Sequence, residues 1–284
     1  MENRSHQPMV VGVDGSDSAR SAACWAAELA AVWGCELHLL HAVPGAADDT
    51  TPVVAPGWLR ELADAVARAG ASPCRVELAR GGPAESLIGP AAGARMLVLG
   101  SYGVGARSGM LAGTVALALA GDVPCPVAVV RGGVPQAAPP SGGPVVVGVD
   151  GSATAHAAAL LAADLAGTFG TRLIAVHAWS EVEESAGRLR RRSEDWAELA
   201  QRGGAVLEAE VRALTQLHPG LDVEDELVHD TAVRALLERA GPARALVVGH
   251  RRERASRGMC PGSTSRALVE FAPCPVVVTP SVEG

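Results

Sequence analysis

The chain repeats itself, and no other feature narrows the possible folds as far. Residues 9–16 read MVVGVDGS and residues 145–152 read VVVGVDGS, so Asp14 matches Asp150 at an offset of 136. The same offset carries Leu40-His41-Ala42 onto Val176-His177-Ala178. Further on the offset grows to 149: Gly113-Thr114 matches Gly262-Ser263, and the PCPV at 124–127 matches the PCPV at 273–276. The second copy therefore carries 149 − 136 = 13 additional residues between its second and fourth strands. Two homologous domains follow, 8–131 and 145–280. The intervening GGVPQAAPPSGGP at 132–144 lacks periodicity and reads as a Gly/Pro linker.

Within the first copy, strand-like runs at Met9–Val13, Glu36–Val43, Arg75–Ala79, Met96–Gly100 and Val127–Arg131 alternate with helical patterns. Four of the five are near-continuous apolar runs, as strands covered on both faces are. Trp58, Leu62, Ala65/Val66 and Ala69 recur at helical spacing. In the second copy Leu189, Trp196, Leu199/Ala200, Val206/Leu207, Val211 and Leu214 make a longer stripe, which locates the insertion in a longer helix. Regular strand–helix alternation with short connections implies an α/β fold, a parallel sheet with helices on both faces, doubly wound, in each copy.

Composition removes several functions. A net charge of −7 disfavours nucleic acid and anionic membrane. No run of about 18 apolar residues is present, and the N-terminal MENRSHQP lacks the apolar core of a signal peptide, so a cytoplasmic protein is expected. All 24 basic residues are Arg, which excludes a Schiff-base lysine and a GxxxxGK[ST] phosphate loop. The six cysteines form no CxxC pair; neither a disulfide framework nor a zinc site is expected, and most read as small buried hydrophobes.

The informative spacing lies in GSYGVGARSGMLAGT: Gly100-x2-Gly103-x9-Gly113-Thr114, directly after the fourth strand and opening a helix. Gly100 and Gly103 allow unusual φ values and a close approach of backbone to ligand. Gly113-Thr114 starts a helix whose unpaired N–H groups and dipole suit a phosphate, with the Thr hydroxyl as a further donor. Asp14 ends the first strand. In a doubly wound sheet the ligand crevice lies beyond the C-terminal strand ends, where strand order reverses. Asp14 and Gly100 then face one pocket, with a carboxylate able to bind a ribose hydroxyl. The plainer alternative is that Asp14 only helps to start the helix at Ser16.

VVGVDGS, G-x2-G-x9-G-[ST] and the closing PCPV strand together resemble the universal stress protein family, over essentially the whole chain outside tail and linker. The resemblance implies two five-stranded parallel sheets of order 3-2-1-4-5, an ATP pocket and frequent dimers. It implies that Asp14 contacts the ribose and that the Ala42 backbone meets the adenine, with Gly12 and Val13 beside them. Gly100, Gly103, Gly113 and Thr114 then hold the phosphates, Val115 lines the same turn, and any Mg²⁺ arrives with the nucleotide rather than on protein side chains. Whether the nucleotide is ATP, AMP or cyclic AMP stays open. Ala116 stands where similar proteins often carry a hydroxyl.

The second copy departs further. Asp150, Ala178, Gly249, Gly262, Ser263, Thr264 and Ser265 match the pattern, but Arg252 replaces the second glycine. Two readings remain: Arg251, Arg252, Arg254 and Arg257 attract phosphates through charge-assisted bonds, or they form a solvated loop beside a degenerate site. His41 and His177, at matching positions, read as structural. Cys260 in the loop is a candidate thiol but more simply incidental. No catalytic set is evident, and HxGH, the signature of adenylating relatives, is absent; slow ATP hydrolysis is the most enzymatic reading. An interaction scaffold with vestigial pockets is the alternative function. The apolar edge strands Val127–Arg131 and Val276–Thr279 need covering, which predicts pairing of the two copies, further dimerisation between chains and a protein partner.

Overall fold

Ser16 and Ser152 start the longest helix shared by the two copies, and they do so identically. Each sits in extended backbone with its Oγ accepting the N–H three residues on, from Ala19 and Ala155, at 3.2 Å. These are N-caps, satisfying one of the donors every helix start leaves unpaired. Helix α1 (Asp17–Trp33) ends at Gly34 and α5 (Ala153–Phe169) at Gly170, both left-handed with φ of 63° and 62°. Ser16→Ala or Ser152→Ala is expected to lower stability by about 1 kcal/mol, read as a shifted urea midpoint at unchanged slope.

The computed structural model describes residues 7–45, 53–70, 73–103, 112–132, 142–180, 196–250 and 262–281. The chain divides into two units, Met1–Pro139 and Pro140–Gly284. In the first, β1 (Met9–Gly12), β2 (Leu37–Val43), β3 (Cys74–Arg80), β4 (Met96–Gly100) and β5 (Val127–Val130) alternate with α1, α2 (Gly57–Arg68), α3 (Pro83–Ala92) and α4 (Thr114–Leu119). The second unit has β6 (Val145–Gly148), α5, β7 (Leu173–Trp179), α6 (Trp196–Leu217), β8 (Val223–His229), α7 (Ala232–Ala240), β9 (Ala245–Gly249), α8 (Ser263–Phe271) and β10 (Val276–Thr279).

Every strand pair within a unit is parallel, and the order is β3-β2-β1-β4-β5 in one and β8-β7-β6-β9-β10 in the other. This is the doubly wound order 3-2-1-4-5. Its reversal point lies between β1 and β4, in register at Val11↔Val98 and Gly12↔Leu99. Met9, Val11, Met96, Leu97 and Val98 are fully buried. With so few aromatics, small side chains close the layers: α1 packs Ala22, Ala23, Ala26 and Ala27 on the sheet, all at 0% exposure. An alanine face lets a helix axis approach the strands closely. The outer strand β3 is only partly covered, which matches its polar sequence CRVELAR.

Helix α6 has 22 residues against 12 in α2, so the longer helix takes 10 of the 13 additional residues. Leu199, Leu207 and Leu214 of the expected stripe are its buried face; Leu189 lies outside the described residues. One further device recurs: Arg95 covers the Trp33 ring at 3.9 Å and Arg244 the Phe169 ring at 4.1 Å. In a chain without Lys, guanidinium stacking closes the same corner of each unit. Among the described residues no helix is long and apolar enough to cross a membrane.

Cys35, Cys125 and Cys274 are buried, Cys74 is intermediate and Cys24 exposed. Burial pushes the Cys125 thiol up to about 11, so it stays protonated and unreactive near neutrality. Cys260 lies outside the described residues.

Candidate functional site

Two loops meet at the reversal point of the first sheet. The β1–α1 loop is shaped by Asp14, whose Oδ1 accepts the Ser16 N–H at 3.0 Å, and by the Ser16 cap. Asp14 thus does help to start α1 through Oδ1, and its Oδ2 lies beside Gly103. The loop after β4 is tied to the first by hydroxyls: Ser16 Oγ donates to the Tyr102 carbonyl at 3.2 Å, Ser18 Oγ donates to the same carbonyl, and the Tyr102 N–H donates to Ser18 Oγ at 3.3 Å. Neither serine had a sequence signal for this. A hydroxyl two residues past the cap can only be recognised once its partner, 84 residues away, is in place.

Between the loops lies a cavity of about 340 Å³. Gly12, Val13, Asp14 and Ala42 line it from the strand ends, and Gly100, Gly103, Gly113, Thr114 and Val115 from the glycine segment. All nine residues expected of a first-unit site are therefore brought to one cavity. Leu40, Leu87, Leu99 and Pro83 make an apolar wall, and Ala116 closes the base at 2% exposure. Leu87 and Pro83 come from α3, where nothing local marks them; only the βαβ winding places that helix over the crevice. The described lining carries the Asp14 carboxylate and no Arg.

The glycines act differently from expectation. Gly100, Gly103 and Gly113 all lie outside the left-handed region; Gly113 has φ −77°. Their contribution is space. A Cβ on Gly100 would stand 2.5 Å from Ser18 Oγ and 2.8 Å from the Ala19 nitrogen; one on Gly103 would stand 2.6 Å from Asp14 Oδ2. Gly113 has no such crowding, its nearest neighbour being the Ser101 carbonyl at 3.5 Å. The Gly113 N–H is also already given to that carbonyl, so the donors open to a ligand begin at Thr114. Helix α4, at six residues, has a correspondingly small dipole.

His41 lines the same cavity, and its Nδ1 bonds the Val13 carbonyl at 2.8 Å; His177 repeats this on Val149 at 2.8 Å. A ring N–H donated to a carbonyl holds the end of the first strand against the second, which fits a structural role. Trp58 meets the His41 ring edge-on at 5.0 Å.

In the second unit, Asp150 Oδ1 accepts the Ser152 N–H at 2.9 Å, as Asp14 does for Ser16. Ala178 lies on β7 and Gly249 ends β9 against Thr154, 2.9 Å from a notional Cβ. Arg252 lies outside the described residues, with Arg251, Arg254 and Arg257. Gly262 adopts φ +72°, unlike Gly113, and Ser263 and Thr264 open α8 behind it. Ser265 is not presented to a ligand: it is 3% exposed and its hydroxyl donates to the Gly262 carbonyl at 3.0 Å.

This winding, with loops converging where the strand order reverses, defines a doubly wound α/β protein with a built crevice in its first unit. Residues 6–131 and 143–280 each match the universal stress protein family. The chain belongs to that family, twice over. It is 33% identical over 293 residues to universal stress protein Rv2005c of Mycobacterium tuberculosis, covering 97% of each chain. Among solved structures, a universal stress protein from Archaeoglobus fulgidus superposes with a TM-score of 0.66 at 17% identity, covering 99% of both chains. A universal stress protein in complex with cAMP is 28% identical over 45% of this chain and 99% of that one, with a TM-score of 0.40.

Proposed function

We propose that the first unit binds an adenine nucleotide, ATP with its Mg²⁺, and that the protein acts as a nucleotide-dependent stress-response protein. The observation that carries this is the convergence of the Asp14 carboxylate and the side-chain-free backbone at Gly100 and Gly103 on one cavity. Its apolar wall of Leu40, Leu87 and Leu99 suits a purine, beside the Ala42 backbone. In this reading Asp14 takes the ribose hydroxyls, and Gly103, Gly113, Thr114 and Val115 take the phosphates. The described lining carries no Arg, and Mg²⁺ would supply neutralisation for a triphosphate.

Calorimetry on nucleotide-free, full-length protein tests the reading. Saturable heat with MgATP is expected, with AMP and cyclic AMP as comparators; no heat at millimolar ATP would reject it. Asp14→Asn keeps an oxygen for the Ser16 N–H but loses the charge. It is expected to bind about tenfold more weakly or worse, the roughly 1.5–3 kcal/mol of a hydrogen bond to a charged group, with little change in melting temperature. For the second unit the scaffold reading has support of its own, because Ser265 and Gly262 are engaged with each other rather than open to a phosphate.

A further inference from the structure

Trp58 of α2 does not line the cavity, yet it touches two residues that hold Asp14 in place. Its indole meets the His41 ring edge-on at 5.0 Å and also lies against Gly15, where a Cβ would stand 3.1 Å from the ring. These contacts bracket Asp14. On one side Val13 is fixed by its N–H bond to the Leu40 carbonyl at 2.9 Å and by His41 Nδ1 on its own carbonyl at 2.8 Å. On the other side Gly15, at φ +87°, carries no side chain, and the indole rests on its backbone. Val13, Asp14 and His41 all line the cavity, so the indole stands directly behind that wall.

The second unit braces the same two points by other means. His177 and Gly151 correspond to His41 and Gly15 at the offset of 136. There α6 itself makes the contacts: a Cβ on Gly203 would stand 2.8 Å from His177 Cδ2, and one on Gly151 would stand 3.2 Å from Val206 Cγ1. Gly203 and Val206 are three residues apart, so one face of the helix covers both points. In the first unit a single side chain spans them. That side chain is not what seats α2, whose buried face is Leu59, Leu62 and Val66.

We infer that Trp58 is a positioning residue of the first unit's ligand site: by resting on Gly15 and His41 it keeps the Asp14 carboxylate oriented before the nucleotide arrives. The inference rests on the nucleotide reading of the first unit. Without the indole the turn keeps its own bond, from the Ser16 N–H to Asp14 Oδ1 at 3.0 Å, but its outer side is open. The carboxylate then samples other orientations, and binding has to order it. Preorganisation is what is lost.

The test is a double-mutant cycle on MgATP affinity, read by calorimetry on the full-length, nucleotide-free chain, with thermal melts alongside. Trp58→Ala is expected to weaken binding about 10-fold, near the lower end of what a hydrogen bond to a charged group is worth. Trp58→Phe keeps a ring over the loop and should stay within about 3-fold of wild type. Because Trp58 acts through Asp14, Trp58→Ala combined with Asp14→Asn should bind little more weakly than Asp14→Asn alone. A merely structural tryptophan would lower the melt and leave affinity alone, or would give losses that multiply to about 100-fold in the double variant. Either result overturns the inference, as does a Trp58→Phe variant as weak as Trp58→Ala. Should Trp58→Ala not fold, Trp58→Leu, which keeps apolar bulk without a ring, takes its place in the cycle. Wild type that takes up no MgATP rejects the proposed function and this inference together, whereas wild type that binds, with the Trp58 variants unaffected, rejects the inference alone.

Discussion

Gly103→Val is expected to leave the protein folded and to remove nucleotide binding. The two halves of that result have separate causes. Gly103 is not in left-handed backbone, so valine brings no conformational strain of that kind. Its Cβ would stand 2.6 Å from Asp14 Oδ2, the far end of a side chain that can rotate. The carboxylate must therefore move away, and the new methyl groups take up cavity volume. Loss of the charged acceptor alone removes roughly 1.5–3 kcal/mol, on the order of 10- to 100-fold in affinity. The blocked volume adds to this, so no saturation is expected at millimolar MgATP. Stability should shift by under about 1 kcal/mol, a few degrees in melting temperature for a unit of this size. A variant that still saturates would separate Asp14 from the ligand altogether.

Gly100→Ala is expected to do the reverse, acting first on the fold. Its Cβ would stand 2.8 Å from both the Ala19 nitrogen and the Ser18 carbonyl carbon, which are backbone atoms in the first turn of α1. That turn is pinned by the Ser16 cap and by the Ser18–Tyr102 bonds, so it has no easy way to retreat. Overpacking of this kind destabilises by about 1–3 kcal/mol, a fall of roughly 2–4 °C in melting point for each. Gly249→Ala meets Thr154 backbone at 2.9 Å and should behave alike in the second unit. Calorimetric melts showing either alanine variant as stable as wild type would mean that the helix start can shift, and that close packing is not what holds glycine there.

These two residues belong to one spacing, and the spacing does not distinguish them. What it does convey is where backbone must come near something else. The expectation of unusual φ angles at Gly100 and Gly103 went astray because a glycine in sequence signals either torsional freedom or a missing Cβ, and only the neighbours tell which. Gly113 shows the limit from the other side: it has the signature position, but neither strain nor crowding. Ser265 was legible as a match to the family pattern, yet its hydroxyl points into the protein's own turn, bonded to the Gly262 carbonyl and to His250 Nδ1.

The tandem organisation and the parallel doubly wound sheets were carried by local pattern, as was the meeting of Asp14 with the glycine segment at one crevice; Gly12, Val13, Ala42 and Val115 came from the family resemblance. Periodicity sets which faces are buried, and a right-handed crossover leaves little choice of winding. What the tertiary structure alone decided was occupancy: that Leu87 and Pro83 of α3 wall the first crevice, that Ser16 and Ser18 lock it to Tyr102, and that His250 reaches Ser265 in the second unit. Such contacts join residues far apart in the chain, and one-dimensional spacing carries no information about which side chain arrives in a shared volume.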